Sequence, residues 1–271
     1  MVWPSGVEGC QWVGWWMPEE PYNYHTFRRY RVRQELSFPD GPGPGAAAPD
    51  FQLMLLSGGH FHLSDQVRRC PVLMEFASIT CPMAAGSRPA LKDLFRDFSD
   101  HLTFLSIYVR EAHPGERYPH HTSYDQKMRH AHDWLYQDGV SWMVAVDTLD
   151  GAVHLAYGGM SNPAYLIDTS QHVAFRALWA GQKGLLREKI AELLEREATG
   201  EVPAELGQQR NRLIPLIHGA AEFDYALARG GRRSVEDFRR EMGLVVYGVA
   251  KLMSKVRTLV NPGNNPNRSM E

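Results

Sequence analysis

Between residues 51 and 198 the chain alternates two kinds of hydrophobic spacing. "FQLMLL" and "HFHLS" are short apolar-rich runs separated by "SGG", which predicts a strand, a tight turn and a second short strand. "PVLMEFAS" (71–78) and "LTFLSIYV" (102–109) are continuous apolar runs, as expected of strands buried on both faces. Between them Leu91, Leu94, Phe95 and Phe98 recur at three- and four-residue steps. That spacing predicts a helix over 83–100, with Pro89 marking a kink or restart near its beginning. A histidine-rich loop leads to a predicted helix over 123–137 and a strand at "SWMVAVD" (141–147). "AYLIDTSQHVAFRALW" (164–179) predicts two strands around a turn, followed by an amphipathic helix at 184–198.

Strands alternating with helices predict an α/β layered fold with a mostly parallel centre, to which the late hairpin adds an antiparallel edge. Strand, helix, strand, helix, hairpin and a final helix is the thioredoxin layout. The fold class expected is therefore α/β and thioredoxin-like, a central mixed sheet flanked by helices. Three segments follow: an aromatic and Pro-rich extension (1–48), the thioredoxin-like domain (49–198) and a helical C-terminal extension (199–271). In the last, Val235, Phe238, Met242, Val245, Val249, Leu252, Val256 and Leu259 step by three and four, a heptad-like seam. Gly243 and Gly248 weaken such a helix by about 1 kcal/mol each relative to alanine. Three roles stay open for the seam. It packs on its own domain, forms a homodimer through residues 235–260, or lies on a membrane with Arg239, Arg240, Lys251 and Lys255 towards the headgroups.

Composition, 44% apolar and 22% charged, permits a full core. A net charge of -2 gives no global electrostatic case for nucleic acid. The three cysteines, Cys10, Cys70 and Cys81, are too few for a disulfide framework or a zinc knuckle. The N-terminus lacks the pattern of a signal peptide, and no apolar stretch reaches the length of a membrane span, so a cytoplasmic, reducing setting is expected.

Cys81 stands where the first core strand gives way to its helix, with Pro82 at the first helical position. A helix N-terminus favours an anion, so a lowered thiol pKa is expected there, with the hydroxyls of Ser78 and Thr80 beside the sulfur. The opposing reading is an inert buried cysteine. Thioredoxin's C-x-x-C is incomplete, because Pro82, Met83 and Ala84 follow Cys81. Cys70 begins the same strand, which at about 3.3 Å per residue places it too far away for a disulfide. Among the histidines His113, His120, His121, His130 and His132, the pair 130 and 132 diverges on a helix, and no metal is expected. Trp3, Trp12, Trp15 and Trp16 are expected to cover the core.

"SITCP" (78–82), "IYVREAHP" (107–114) and "VDTLDGAVHLAYG" (146–158) resemble the iodothyronine deiodinases, a branch of the thioredoxin superfamily, over residues 49 to 190. The resemblance implies that Cys81 stands at the family's selenocysteine position. It also carries the acid–base residues to Glu111 and His113, with Glu111 orienting His113 as a proton source near neutral pH. Ser78, Thr80 and Tyr108 match residues around the selenium, and His121 a substrate-side histidine. Pro163 resembles the cis-proline that faces the cysteine in ordinary thioredoxins. The implied reaction is reductive dehalogenation of a small-molecule aryl iodide, with no cofactor beyond an external thiol reductant such as a thioredoxin or glutathione-like donor. The sequence departs from the family at Ile79, where a second cysteine often stands. It departs again at Ala164 and near Trp179, where hormone-contacting arginines fall. Two alternatives stay open. One is a one-cysteine peroxiredoxin-like peroxide reductase, since Ser78 is the third residue before the cysteine. The other is a non-catalytic redoxin-fold binding or scaffold protein.

Overall fold

The computed structural model describes residues 21–260, apart from 36 and 39. Cys10 and the tryptophans at 3, 12, 15 and 16 lie outside the described residues. The two apolar runs form β3 (Val72–Ala77) and β4 (Thr103–Tyr108), parallel in register from Val72 opposite Thr103 to Ala77 opposite Tyr108. Every residue of both is buried, which is why neither shows polar alternation. Their side chains still alternate between faces. Leu73 and Ala77 join one core cluster, while Val72, Met74 and Phe76 join another.

β1 (Gln52–Leu55), β2 (His60–His62), β5 (Met143–Val146), β6 (Ala164–Ile167), β7 (Val173–Ala177) and β8 (Gln208–Gln209) complete one sheet, ordered β2-β1-β5-β4-β3-β6-β7-β8. α3 (Pro82–Phe98) connects β3 to β4, α4 (Tyr124–Asp138) precedes β5, and α6 (Lys183–Thr199) follows the β6–β7 hairpin. The block β3-α3-β4 beside β6-β7-α6 is the thioredoxin arrangement, with β1–β2 leading in at the other edge.

Several expectations change. The β6–β7 hairpin is not an edge, because β6 pairs with β3 on one side and β7 pairs with β8 on the other. Pro89 neither breaks nor restarts α3, whose buried residues on both sides of it, Ala84, Ala85, Leu91 and Leu94, hold the helix against the core. Three short elements carry too few residues to show a period: α1 (Arg29–Glu35), α2 (Leu63–Val67) and α5 (Ala152–Ala156).

The C-terminal extension contains α7 (Leu213–Ala221), α8 (Phe223–Gly230) and α9 (Arg232–Val260). α9 is interrupted at Gly243, whose φ of 81° is open to glycine and strained for other residues. Seam residues on both sides of this break, Phe238 and Met242 before it and Val245 and Val249 after it, line one groove, but their burial differs. Before it, Phe238 packs with Phe27, Phe223 and Leu227, and Val235 and Met242 lie against that cluster. Beyond it, Val245, Leu252 and Leu259 are exposed. No helix among the described residues is long and apolar enough to cross a membrane.

Candidate active site

β3 ends at Ala77 and three residues turn the chain into α3, whose N-cap is Cys81 in extended backbone geometry. The sulfur accepts a hydrogen bond from the Ala84 N–H at 3.4 Å, a bond that strengthens as negative charge grows on sulfur. Pro82 at the first helical position has no N–H to leave unpaired. The Ser161 carbonyl lies 4.0 Å from Sγ.

Cys81 is almost wholly buried, yet it opens onto a groove of about 410 Å³. Phe27, Met83, Phe238 and Val249 are among its walls, and His113 shares it with the cysteine. No Lys, Arg, Asp or Glu is among its described lining residues. One wall comes from α7 and the second half of α9, so the C-terminal extension builds part of the site.

His113 lies against the rings of Phe27 and Phe238, with centroids 4.4 and 5.7 Å away. Burial pushes its pKa down to about 3, so the ring is neutral at pH 7, and its Nδ1 has no hydrogen-bond partner. Glu111 reaches His113 only through Thr80, whose Oγ1 donates to Glu111 and accepts from the His113 N–H. His113 is placed instead by its backbone: its N–H donates to Thr80 Oγ1 at 3.1 Å, and its carbonyl accepts from Ser234 Oγ at 2.9 Å.

Glu111 organises the corner behind the cysteine. Its Oε2 accepts from Thr80 Oγ1 at 2.7 Å and from the Thr80 N–H at 3.3 Å. Its Oε1 accepts from Tyr108 Oη at 2.5 Å and lies 3.2 Å from His121 Nε2 and 3.1 Å from His130 Nδ1. Burial opposes the charged carboxylate, but the hydrogen bonds and charge of His121 and His130 outweigh it and hold the group well below the usual carboxylate range. Tyr108 Oη also accepts from the Ile79 N–H at 3.3 Å.

The remaining expected site residues therefore sit behind the groove rather than on it. The Thr80 hydroxyl donates to Glu111, and Ser78 Oγ accepts from the Ala112 N–H at 3.2 Å, so both tie the β3–α3 corner to the loop after β4 instead of facing the sulfur. His121 lines a separate cavity of about 520 Å³ with Tyr22, His25 and Thr122, away from Cys81. Pro163 is buried and its peptide bond is trans, since Val202–Pro203 is the cis bond among the described residues. Its loop meets the sulfur through the Ser161 carbonyl. Asn162 fixes that loop, donating from Nδ2 to Glu75 Oε2 at 2.9 Å and to the Phe76 carbonyl at 2.8 Å.

Glu75 was missed as a site residue. It pairs with Arg88 of α3, both side chains being buried, and accepts from Ser106 Oγ at 2.5 Å. Arg88 lies over the rings of Trp134 and Trp142 at 5.0 and 5.3 Å. A lone carboxylate inside "VLMEFA" demands a buried partner, which is the signal that could have revealed the pair. His130 gave no such signal, because its partners come from a loop at irregular separation. Cys70 is free, at the other end of β3, with Sγ 3.3 Å from Thr103 Oγ1.

A model of the family described as iodothyronine deiodinase matches residues 20–197, which leaves α7, α8 and α9 outside the match. The chain is 28% identical over 172 residues to thyroxine 5-deiodinase of Gallus gallus, covering 59% of this chain and 64% of that protein. To thyroxine 5-deiodinase of Sparus aurata it is 25% identical over 183 residues, covering 64% and 66%. The chain thus spans just under two thirds of the length of these relatives. Among solved structures it is similar to a putative thiol:disulfide interchange protein DsbE from Chlorobium tepidum, at 21% identity and a TM-score of 0.46, covering 57% of this chain and 99% of that one.

Proposed function

The chain belongs to the iodothyronine deiodinase family, and from that premise we propose that it performs thiol-dependent reductive dehalogenation at Cys81 on an uncharged, hydrophobic aryl iodide. The observation that carries this reading is the opening of Cys81 onto an apolar groove without a charged lining residue among those described. A carboxylate or ammonium buried there unpaired costs several kcal/mol. The groove therefore favours a neutral ring system over one bearing an amino-acid group.

The Cys81 thiol attacks iodine; the C–I and S–H bonds break, and S–I and C–H bonds form. The neutral His113 ring, with one nitrogen able to accept and the other to donate, passes the thiol proton towards the ring carbon. An external thiol then attacks the Cys81 sulfenyl iodide, giving a mixed disulfide and hydrogen iodide. A second thiol releases the reduced cysteine and an external disulfide. Among the described residues the other cysteine, Cys70, sits at the other end of β3, which supports an external thiol as the reductant. Glu111, Thr80 and Tyr108 act by holding the corner on which the sulfur rides.

The peroxide-reductase reading has less support, since Ser78 is engaged by the Ala112 N–H and no cation lines the described groove. The test is iodide release in the presence of dithiothreitol from a neutral aryl iodide and from its carboxylate-bearing analogue. Cys81-dependent release, with kcat/KM at least about tenfold higher for the neutral compound, is expected. Release that persists in Cys81→Ser, or peroxide turnover without any dehalogenation, would overturn the proposal.

A further inference from the structure

The geometry points to a zinc-type divalent metal site formed by Glu111, His121 and His130, separate from the cysteine groove. None of the three lines that groove. His121 and Glu111 come from the loop after β4, and His130 from α4. All three are buried.

The three ligand atoms form a nearly equilateral triangle. Glu111 Oε1 is 3.2 Å from His121 Nε2 and 3.1 Å from His130 Nδ1, and the two nitrogens are 3.2 Å apart. Ligands about 2.0–2.1 Å from a tetrahedral zinc ion lie about 3.3 Å from one another. The triangle therefore has the dimensions of one face of a zinc tetrahedron.

Protons alone do not satisfy all three sides. With one of the two facing nitrogens protonated, its N–H serves Glu111 and the other imidazole, but the second imidazole then turns a lone pair towards the carboxylate. With both protonated, two N–H groups confront each other across 3.2 Å. A cation at the centre makes every side favourable. Two imidazoles and one carboxylate also form a known zinc ligand set with an open fourth position.

The surroundings suit this role. Tyr108 Oη donates to the ligating Oε1, and Thr80 holds Oε2, which fixes the carboxylate's orientation. His130 lines a cavity of about 480 Å³ with Tyr118 and Asp133, and His121 one of about 520 Å³ with Tyr22 and His25, so each imidazole lies at the border of a cavity. A metal here would clamp the loop 109–123 to α4. Through Thr80 it would also brace the residue that precedes Cys81.

The test is calorimetric titration of the dialysed full chain with Zn²⁺, together with the visible spectrum of the Co²⁺-loaded protein. One equivalent should bind, His130→Gln should weaken binding at least about a hundredfold, and Co²⁺ should show the intense bands of four-coordinate geometry. His62→Ala controls for the half-buried His62, which lies beside Asp50 and Asp65, and should leave the tight site unchanged. Binding only in the millimolar range, equal affinity in His130→Gln, or the weak bands of six-coordinate Co²⁺ would each overturn the assignment. The wild-type Co²⁺ spectrum decides the matter even if His130→Gln does not fold.

Discussion

Replacing Arg88 by methionine removes the guanidinium that pairs with Glu75 beneath α3, where the two side chains are only 6% and 3% exposed. Truncating one partner of a buried ion pair costs about 3–5 kcal/mol, because the other charge is left uncompensated. Glu75 keeps the Ser106 hydroxyl at 2.5 Å and the Asn162 amide at 2.9 Å. Methionine also refills part of the space against Trp134 and Trp142. The expected loss is therefore at the low end, about 3 kcal/mol. Adding Glu75→Gln removes the stranded charge and should restore most of that loss. Urea denaturation at pH 7 of the wild type, both single variants and the double variant measures it as a cycle. A loss under about 1 kcal/mol in Arg88→Met, or a double variant no better than it, would refute the reasoning.

Burial lowers the pKa of Lys127 from 10.5 to about 8, against the opposing attraction of Asp147. Between those values the unfolded chain binds more protons, so stability should rise with pH there. The gain is about 3 kcal/mol, and it is lost as pH falls through 8. Denaturation from pH 7.5 to 10.5 should show this rise in the wild type but not in Lys127→Met; parallel curves would contradict it. In the groove wall, Val249→Lys should change stability by less than about 0.5 kcal/mol, since Val249 is 53% exposed. It should lower kcat/KM for a neutral aryl iodide and raise it for the carboxylate analogue. An unchanged preference between the two compounds would place the substrate elsewhere.

Much of the sheet was legible because its strands have distinct signatures. β3 and β4 are buried on both faces and read as unbroken apolar runs, and the β1–β2 hairpin is marked by Gly58 and Gly59, both at positive φ. Cys81 was legible as a helix N-cap because Pro82 and a strand–helix boundary mark the place. The rest depended on long-range contacts. β8 is two residues long and exists only through pairing with β7. The spacing of residues 235–259 marks an apolar stripe, and Phe238, Met242, Val245 and Val249 from it line the groove, but only packing against α7 and Cys81 shows what the stripe faces. His130 meets Glu111 and His121 only once α4 packs against the loop after β4, and the His113 pKa falls only once Phe27 and Phe238 close around the ring.

The most direct test of Cys81 as the reacting thiol is a single-turnover experiment on the reduced full chain. The protein is mixed with a neutral aryl iodide, then with one equivalent of glutathione, and the peptides are mapped by mass spectrometry while iodide is counted. The account predicts one iodide released per protein and a glutathione mixed disulfide at Cys81, with Cys70 unmodified. Iodide released while Cys81 stays unmodified, or an adduct confined to Cys70, would contradict it.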